Sequence, residues 1–264
     1  MSSKLAVQLF TLREHTRTAS ELAKTLEKVA AMGYPAVQVS AVGAMNAENP
    51  EVDAREMRRM LDDNGLACIA THRPWDALVD NPEAEIEFHR ILGCDYCAIG
   101  GIPGNYERSY AGYRSWLADA RTVIANLGAA GIRFGHHNHS HEFYRPERHG
   151  MTLEDILIDE GPPDLMLELD LYWIEHSGTC CVRILERSHG RVPVIHLKDK
   201  EMVEGKVNET RMAPIGEGNH DWDHIIPACE AAGVDWYAVE QDNCYRDPFD
   251  CLKSSFAFLS EKLS

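Results

Sequence analysis

The sequence predicts a single (β/α)8 barrel that spans residues 1–264, and three observations carry this prediction. Eight short apolar runs alternate with longer amphipathic segments, which is typical of βα units that feed a parallel sheet. A glycine recurs between helix and next strand. Polar residues follow at least six of the apolar runs. An open doubly wound sheet has the same elements but spreads its strand ends, whereas a barrel gathers them at one mouth. We therefore expect the barrel.

The strands and helices follow from hydrophobic periodicity. The predicted strands are residues 4–10, 36–39, 67–71, 96–99, 133–137, 165–169, 192–196 and 236–239. The clearest helical patterns are residues 20–32, 54–64 and 113–130, and the first of them places Leu22, Leu26 and Val29 on one face. Ser20 is the expected N-cap of that helix.

Five of the helix-to-strand connections contain a glycine. Glycine readily adopts the left-handed conformation that ends an α-helix, and we expect it to do so at Gly33, Gly65, Gly93, Gly131 and Gly233. Stops at similar places in successive units indicate one repeated architecture. We see no linker, so we expect one domain.

Composition excludes several classes of function. The formal charge of -16 argues against nucleic-acid binding, which needs clustered Lys and Arg. No apolar run approaches the ~20 residues that span a bilayer, and no signal peptide opens the chain, so we expect a soluble cytoplasmic protein without membrane contact. The eight cysteines mostly lie in apolar segments and are expected to be reduced. A homo-oligomer is compatible with the sequence but not specified by it.

Metal-competent side chains end four successive strands. They are the histidine-rich run 136–142, Asp170, His196 and Glu240. Carboxylates with one imidazole favour Mn²⁺, Mg²⁺, Co²⁺ or Zn²⁺. Each residue taken singly has a simpler interpretation: Asp170 as half of a buried salt bridge and His196 as a satisfied core histidine. Their succession at strand ends favours a metal site.

The order of these motifs resembles the xylose isomerase-like sugar phosphate isomerase/epimerase superfamily. The resemblance runs from Val7-Gln8-Leu9 through residues 133–142, 169–173, 195–199, 214–218 with Asp221-Trp222, and 239–242. It implies a barrel whose metal ligands are Glu, Asp, His and Glu from the ends of strands five to eight. Asp170, His196 and Glu240 match the last three.

The chain departs from the superfamily pattern at two positions. Where many relatives have Glu before Asn-His, this chain has His137, and the nearest Glu is Glu142. We expect Glu142 to be the first metal ligand, with His137 as the alternative, and His137 and His139 to bind substrate or shuttle protons. Trp173 stands where epimerases often have His, and it offers an apolar wall for a sugar ring.

The resemblance implies a divalent-metal-dependent enzyme, with Mn²⁺ as the first choice, that isomerises or epimerises a sugar or keto-sugar through an enolate. Glu142 and Glu240 would carry the proton and Lys198 would act as electrophile or acid, while Gln8 and His72 would bind substrate.

Three other functions stay open. A lyase or dehydratase acting on an inosose, a dehydroshikimate or a 3-keto-glycoside would use the same residues, because histidine can protonate a leaving oxygen. A DNA-repair enzyme similar to endonuclease IV needs a basic groove, which the net charge opposes. The protein could also bind a sugar or a metal without catalysing a reaction. In that case the parent and Glu240→Gln would both be inactive on every candidate substrate.

Overall fold

Eight parallel strands close into a barrel in the computed structural model, which describes residues 4–46 and 49–263. The strands are β1 (Leu5–Gln8), β2 (Ala36–Val39), β3 (Ala67–His72), β4 (Tyr96–Ile99), β5 (Arg133–His137), β6 (Leu165–Asp170), β7 (Val194–Leu197), β8 (Asp199–Met202), β9 (Thr210–Ala213) and β10 (Trp236–Val239). Strands β1 to β7 follow one another around the barrel, and β10 pairs with both β7 and β1. The predicted (β/α)8 barrel is confirmed, and β8 and β9 form an additional antiparallel hairpin.

The helices lie around this barrel. They are α1 (Ala19–Ala31), α2 (Gly43–Asn46), α3 (Ala54–Asp63), α4 (Trp75–Asp80), α5 (Pro82–Leu92), α6 (Tyr110–Ala129), α7 (Leu153–Asp159), α8 (Leu171–His176), α9 (Cys181–Arg187), α10 (Trp222–Ala232) and α11 (Pro248–Lys262). Short 3₁₀ helices occupy Leu9–His15 and His141–Phe143. No helix in the described part of the chain is long and apolar enough to cross a membrane.

Several predicted boundaries differ from the structure, for instance the helix predicted at 113–130, which is Tyr110–Ala129, and two of the differences have clear local reasons. Helix α1 is capped by Thr18 rather than Ser20, because the Thr18 side chain accepts from the Glu21 backbone N–H and the Glu21 carboxylate accepts in return, a capping box. Strand β1 ends at Gln8 instead of residue 10, because the Gln8 side chain accepts from the Phe10 N–H and begins a 3₁₀ helix.

The five glycine stops are confirmed. Gly33, Gly65, Gly93, Gly131 and Gly233 all have a positive φ, between 65° and 100°. A residue with a Cβ is strained in that region, so glycine ends each helix at low conformational cost.

The barrel interior changes from apolar to polar along the strands. Its lower layer packs small side chains around the buried Tyr96, and these include Ala6, Ala36, Ala70, Val194 and Ala238. Side chains two positions apart on a strand face the same way. The next inward residues are Gln8, Gln38, His72, His196 and Glu240. The alternation along each strand therefore places polar side chains at the C-terminal mouth of the barrel.

Asp199 organises the loop that follows the hairpin. Its buried carboxylate accepts hydrogen bonds from the backbone N–H groups of Gly216, Gly218 and His220 and from Trp222 Nε1. A Cβ at Gly218 would lie 2.2 Å from Asp199 Oδ1, so the loop needs glycine there. This contact set accounts for the spacing between Asp199 and the Gly216-Glu217-Gly218 motif.

Candidate active site

A cavity of about 430 Å³ opens at the C-terminal mouth of the barrel. Seven of the residues predicted from the sequence line it: Gln8, His72, His137, His139, Trp173, Lys198 and Glu240. Asp170 and His196 are fully buried and contact this lining from within the barrel. The structure thus brings nine of the ten predicted site residues together.

Asp170, His196 and Glu240 form one compact group, here called the strand-end group. One ligand atom from each lies within 4.8 Å of the other two. His196 Nδ1 is 2.8 Å from Glu240 Oε2 and 3.9 Å from Asp170 Oδ2. Asp170 also caps α8 by accepting from the Trp173 N–H through its other oxygen, Oδ1. Its Oδ2 is thereby directed toward His196 and Glu240.

Lys198 is buried among carboxylates. Its Nζ lies 2.8 Å from Asp170 Oδ2, 2.9 Å from Glu240 Oε2 and 2.7 Å from Asp242 Oδ1. Burial disfavours the ammonium, but the three carboxylates outweigh it and raise the pKa of Lys198. The side chain stays charged at neutral pH.

The strand-end group fits a divalent cation. Asp170 Oδ2, His196 Nδ1 and Glu240 Oε2 are all buried, and they face one another and Lys198 Nζ. Two carboxylates, one imidazole and one ammonium therefore share a single buried point. Two carboxylate oxygens and one imidazole nitrogen converging on one point form a donor set that suits Mn²⁺ or Zn²⁺.

Glu168 is a central residue that is not among the predicted site residues. It is fully buried, and its Oε2 accepts a short hydrogen bond from His72 Nε2. Its Oε1 accepts from Gln38 Nε2 at 2.9 Å, and Gln38 Oε1 lies 2.8 Å from His196 Nε2. If His196 donates that bond from Nε2, its Nδ1 is left to accept. Gln38 and Glu168 thus fix which nitrogen of His196 faces the other two ligand atoms.

Glu142 does not join the strand-end group, in contrast to its predicted role as the first ligand. It lies in a separate cluster with His139 and His141. The reason is local: the 3₁₀ turn His141–Phe143 directs the carboxylate back to the His139 N–H, which donates to Glu142 Oε2 at 2.8 Å. His137, the alternative first ligand, is closer, with Nε2 3.9 Å from Asp170 Oδ2.

The site holds its ionisable groups in different charge states. Burial, reinforced by the charge of the neighbouring His196, lowers the pKa of His137 well below its usual value. Burial also lowers the pKa of His196, but Glu168, Glu240 and Asp170 outweigh it and bring that pKa to about 9. Burial raises the pKa of Asp170 to about 6 against the attraction of Lys198. Without a cation, the site therefore pairs ionised carboxylates with protonated His196 and Lys198.

A second cavity of about 440 Å³ adjoins the first, and we call it the annex. The two cavities share Gly100 and His139 in their linings. The annex is also lined by Trp75, Arg108 and His141. It extends the space available to a bound molecule beyond the barrel mouth.

The model of one protein family, the xylose isomerase-like TIM barrel, matches residues 26–261. The chain belongs to this family. No curated protein sequence is significantly similar to it.

Solved structures share the fold at low sequence identity. A sugar phosphate isomerase/epimerase from Parabacteroides distasonis is 20% identical with a TM-score of 0.80, over 98% of this chain and 94% of that one. An L-ribulose 3-epimerase is 16% identical with a TM-score of 0.72, over 98% and 94%. A probable 3-DHS dehydratase from Bacillus anthracis is 13% identical with a TM-score of 0.72, over 98% and 99%. At these identities the likeness shows the fold alone.

Proposed function

We propose that the protein is a divalent-metal-dependent isomerase or epimerase of a sugar or keto-sugar. The observation that carries the proposal is the convergence of three buried ligand atoms, Asp170 Oδ2, His196 Nδ1 and Glu240 Oε2, at the barrel mouth. The similarity of the fold to that of an L-ribulose 3-epimerase supports it. Mn²⁺ is the proposed metal, with Mg²⁺, Co²⁺ and Zn²⁺ as alternatives.

Asp170, His196 and Glu240 would hold this metal, with His137 as the nearest fourth side chain. A bound divalent cation supplies Lewis-acid polarisation of a carbonyl, which makes the adjacent C–H more acidic. Glu240 and His137 both line the cavity, so either is placed to take that proton from a substrate. The Lys198 ammonium is placed to stabilise negative charge on a substrate oxygen. His139 can bond a hydroxyl, and the Trp173 ring offers an apolar wall.

The proposed reaction can be tested by exchange of a carbon-bound proton in D₂O. The Mn²⁺-loaded protein, incubated with a panel of ketoses and keto-sugars, should incorporate deuterium beside the carbonyl of its substrate, with an inverted centre or a moved carbonyl visible by NMR. The Asp170→Asn variant is the matched control and should show no exchange. Absence of exchange with every keto-sugar, or equal exchange by the control, would overturn the proposal.

A lyase is the second candidate, and the annex is the observation that favours it. Elimination begins with the same proton removal and then breaks the bond to a β-substituent, which leaves with its electron pair and takes up a proton. The adjoining 440 Å³ gives such a leaving group room. The likeness of the fold to a probable 3-DHS dehydratase supports this alternative. In the D₂O experiment, loss of water or alcohol would favour it over isomerisation.

Glu168 is proposed as a positioning residue for both reactions. We expect Glu168→Gln to weaken Mn²⁺ binding about 10- to 100-fold, because the amide cannot replace both accepting oxygens that orient His72 and Gln38. Calorimetric titration of the metal-depleted protein with Mn²⁺ measures the effect. The exposed Glu186→Gln is the control and should bind as the parent does. Parental affinity in Glu168→Gln would show that the network has no such role.

A further inference from the structure

A second group of metal-competent side chains lies on the segment that follows β5. It consists of His139, His141 and Glu142, and we call it the loop cluster. Their ligand atoms all lie within 4.8 Å of one another. His141 Nε2 is 2.9 Å from Glu142 Oε1, and the His139 and His141 rings stack with centroids 5.6 Å apart. Two imidazoles and one carboxylate are a common donor set for transition metals.

Two atoms of the loop cluster are buried without a hydrogen-bond partner among the described residues. They are Glu142 Oε1 and His139 Nδ1. Glu142 is fully buried, and its other oxygen accepts from the His139 N–H. His136 is also fully buried, with Nε2 3.8 Å from Glu142 Oε1, too far for a hydrogen bond. The nearest group to Glu142 Oε1 is His141 Nε2, so the charge of this buried oxygen is balanced by His141 or by a cation bound between the two.

Three groups of histidine and carboxylate side chains lie at the barrel mouth, and they differ in whether their buried carboxylate oxygens accept hydrogen bonds. Around Glu168, both carboxylate oxygens accept hydrogen bonds, from Gln38 and His72. The carboxylate of that group is therefore satisfied, although His137 Nδ1 beside it has no hydrogen-bond partner among the described residues. The strand-end group and the loop cluster instead each keep a carboxylate oxygen and an imidazole nitrogen without a partner in the described chain. By this measure the loop cluster resembles the strand-end group and not the Glu168 network.

We propose that the loop cluster is a second divalent-cation site, held by Glu142 Oε1 and one imidazole nitrogen each of His139 and His141. Zn²⁺ or Mn²⁺ suits this donor set. The site is independent of the proposed reaction at the strand-end group. The His141 side chain is 36% exposed, so an ion can enter from solvent. Three protein ligands leave coordination positions open.

The location of this site suggests what its open positions bind. His139 and His141 both line the annex, together with the guanidinium-bearing Arg108. A cation beside Arg108 would give the annex a positive wall in a chain of net charge -16. The annex then takes an oxygen-rich or anionic substituent of the bound molecule.

Metal stoichiometry tests the second site without any substrate. Untagged full-length protein is depleted with a chelator, equilibrated with excess Zn²⁺, desalted and analysed for zinc and protein. We expect about two Zn²⁺ per chain in the parent, one in His141→Ala, one in Asp170→Asn and none in the double variant. His224→Ala is the control, because that side chain is 78% exposed and pairs only with Asp221 among the described residues, and it should retain two.

Two Zn²⁺ in a folded His141→Ala, or a single Zn²⁺ in the parent that His141→Ala retains, would overturn the second site. Circular dichroism of each variant confirms the fold, and His141 is the residue to change because its side chain is 36% exposed whereas Glu142 is buried. The two proposals fail separately. A single Zn²⁺ in the parent that Asp170→Asn retains and His141→Ala loses would remove the metal from the strand-end group and keep it at the loop cluster.

Discussion

Replacing Lys198 with Met is expected to lower the free energy of unfolding of the metal-depleted protein by about 3 to 5 kcal/mol. The Lys198 ammonium lies within 3 Å of carboxylate oxygens of Asp170, Glu240 and Asp242, and its side chain is 2% exposed. Met fills a similar volume without charge, so it leaves three close carboxylates without their counter-ion. Chemical denaturation followed by circular dichroism in the presence of EDTA measures the loss.

Mn²⁺ should restore part of this stability, because it neutralises the same oxygens. At a free concentration a hundred times its Kd, a ligand that binds only the folded state contributes about 2.7 kcal/mol. Lys200→Met is the matched control: its Nζ lies 5.9 Å from the Tyr172 ring centroid, a contact worth about 1 kcal/mol or less. If Lys198→Met unfolds at the same denaturant concentration as the parent, the ammonium does not hold these carboxylates together.

Lys198 and a bound cation therefore act on the same two oxygens, Asp170 Oδ2 and Glu240 Oε2. A lone ammonium cannot neutralise three carboxylates, so negative charge remains for a divalent ion. It does keep the carboxylates ionised in the metal-free protein, because its attraction lowers the pKa of Glu240 against the effect of burial. Glu240 is thus ready to bind a metal without first losing a proton, whereas His196, which is protonated in the metal-free site, releases one when its Nδ1 binds.

The fold was predictable because its determinants are local. Each strand is a short apolar run, and each glycine stop needs only a positive φ at one residue. The strand-end group was predictable for the same reason, since Asp170 and His196 lie at the ends of their strands and Glu240 directly follows β10. A closed barrel brings such positions together without further information.

Glu168 was missed although the sequence contains the signal. It stands two residues before Asp170 on β6, so the period of a strand places both side chains inside the barrel. Gln38 follows the same rule, because it pairs in register with Gln8 on β1. Applying the strand period to every inward position would have recovered both residues.

The position of Glu142 could not be derived in this way. It follows β5 by five residues, beyond the reach of the strand period, and a 3₁₀ turn sets its direction. Within the turn, the His139 N–H donates a hydrogen bond to the Glu142 side chain itself. Because the Glu142 side chain itself bonds the backbone of its loop, sequence spacing alone does not predict where that side chain lies.

Glu154 on α7 is a buried carboxyl outside the proposed catalytic groups. Both of its oxygens lack a hydrogen-bond partner among the described residues, and it is 1% exposed. Burial, reinforced by repulsion from Glu142 and Asp155, raises its pKa to about 8, although Arg191 and Arg187 oppose the shift. In the folded protein this side chain is therefore mostly protonated at neutral pH, whereas in the unfolded chain it ionises near its ordinary value of 4.5.

The sign of the resulting pH dependence follows from proton uptake. Between pH 4.5 and 8 the folded state binds the Glu154 proton and the unfolded state does not, so the stability of the parent falls as the pH rises through this range. A tenfold change in proton affinity corresponds to about 1.4 kcal/mol, so the loss approaches about 5 kcal/mol above pH 8. Glu154→Gln cannot ionise, and we expect it to match the parent within about 1 kcal/mol at pH 5 and to exceed it by about 5 kcal/mol at pH 9.

Urea denaturation at pH 5, 7 and 9, with EDTA present, checks this difference. The exposed Glu83→Gln is the control and should parallel the parent at all three values. Equal pH slopes for Glu154→Gln and the parent would mean that the Glu154 carboxyl ionises in the folded state as readily as in the unfolded one. A water molecule or cation beside Glu154 would then have to satisfy its oxygens, because a buried carboxylate without a partner does not keep an ordinary pKa.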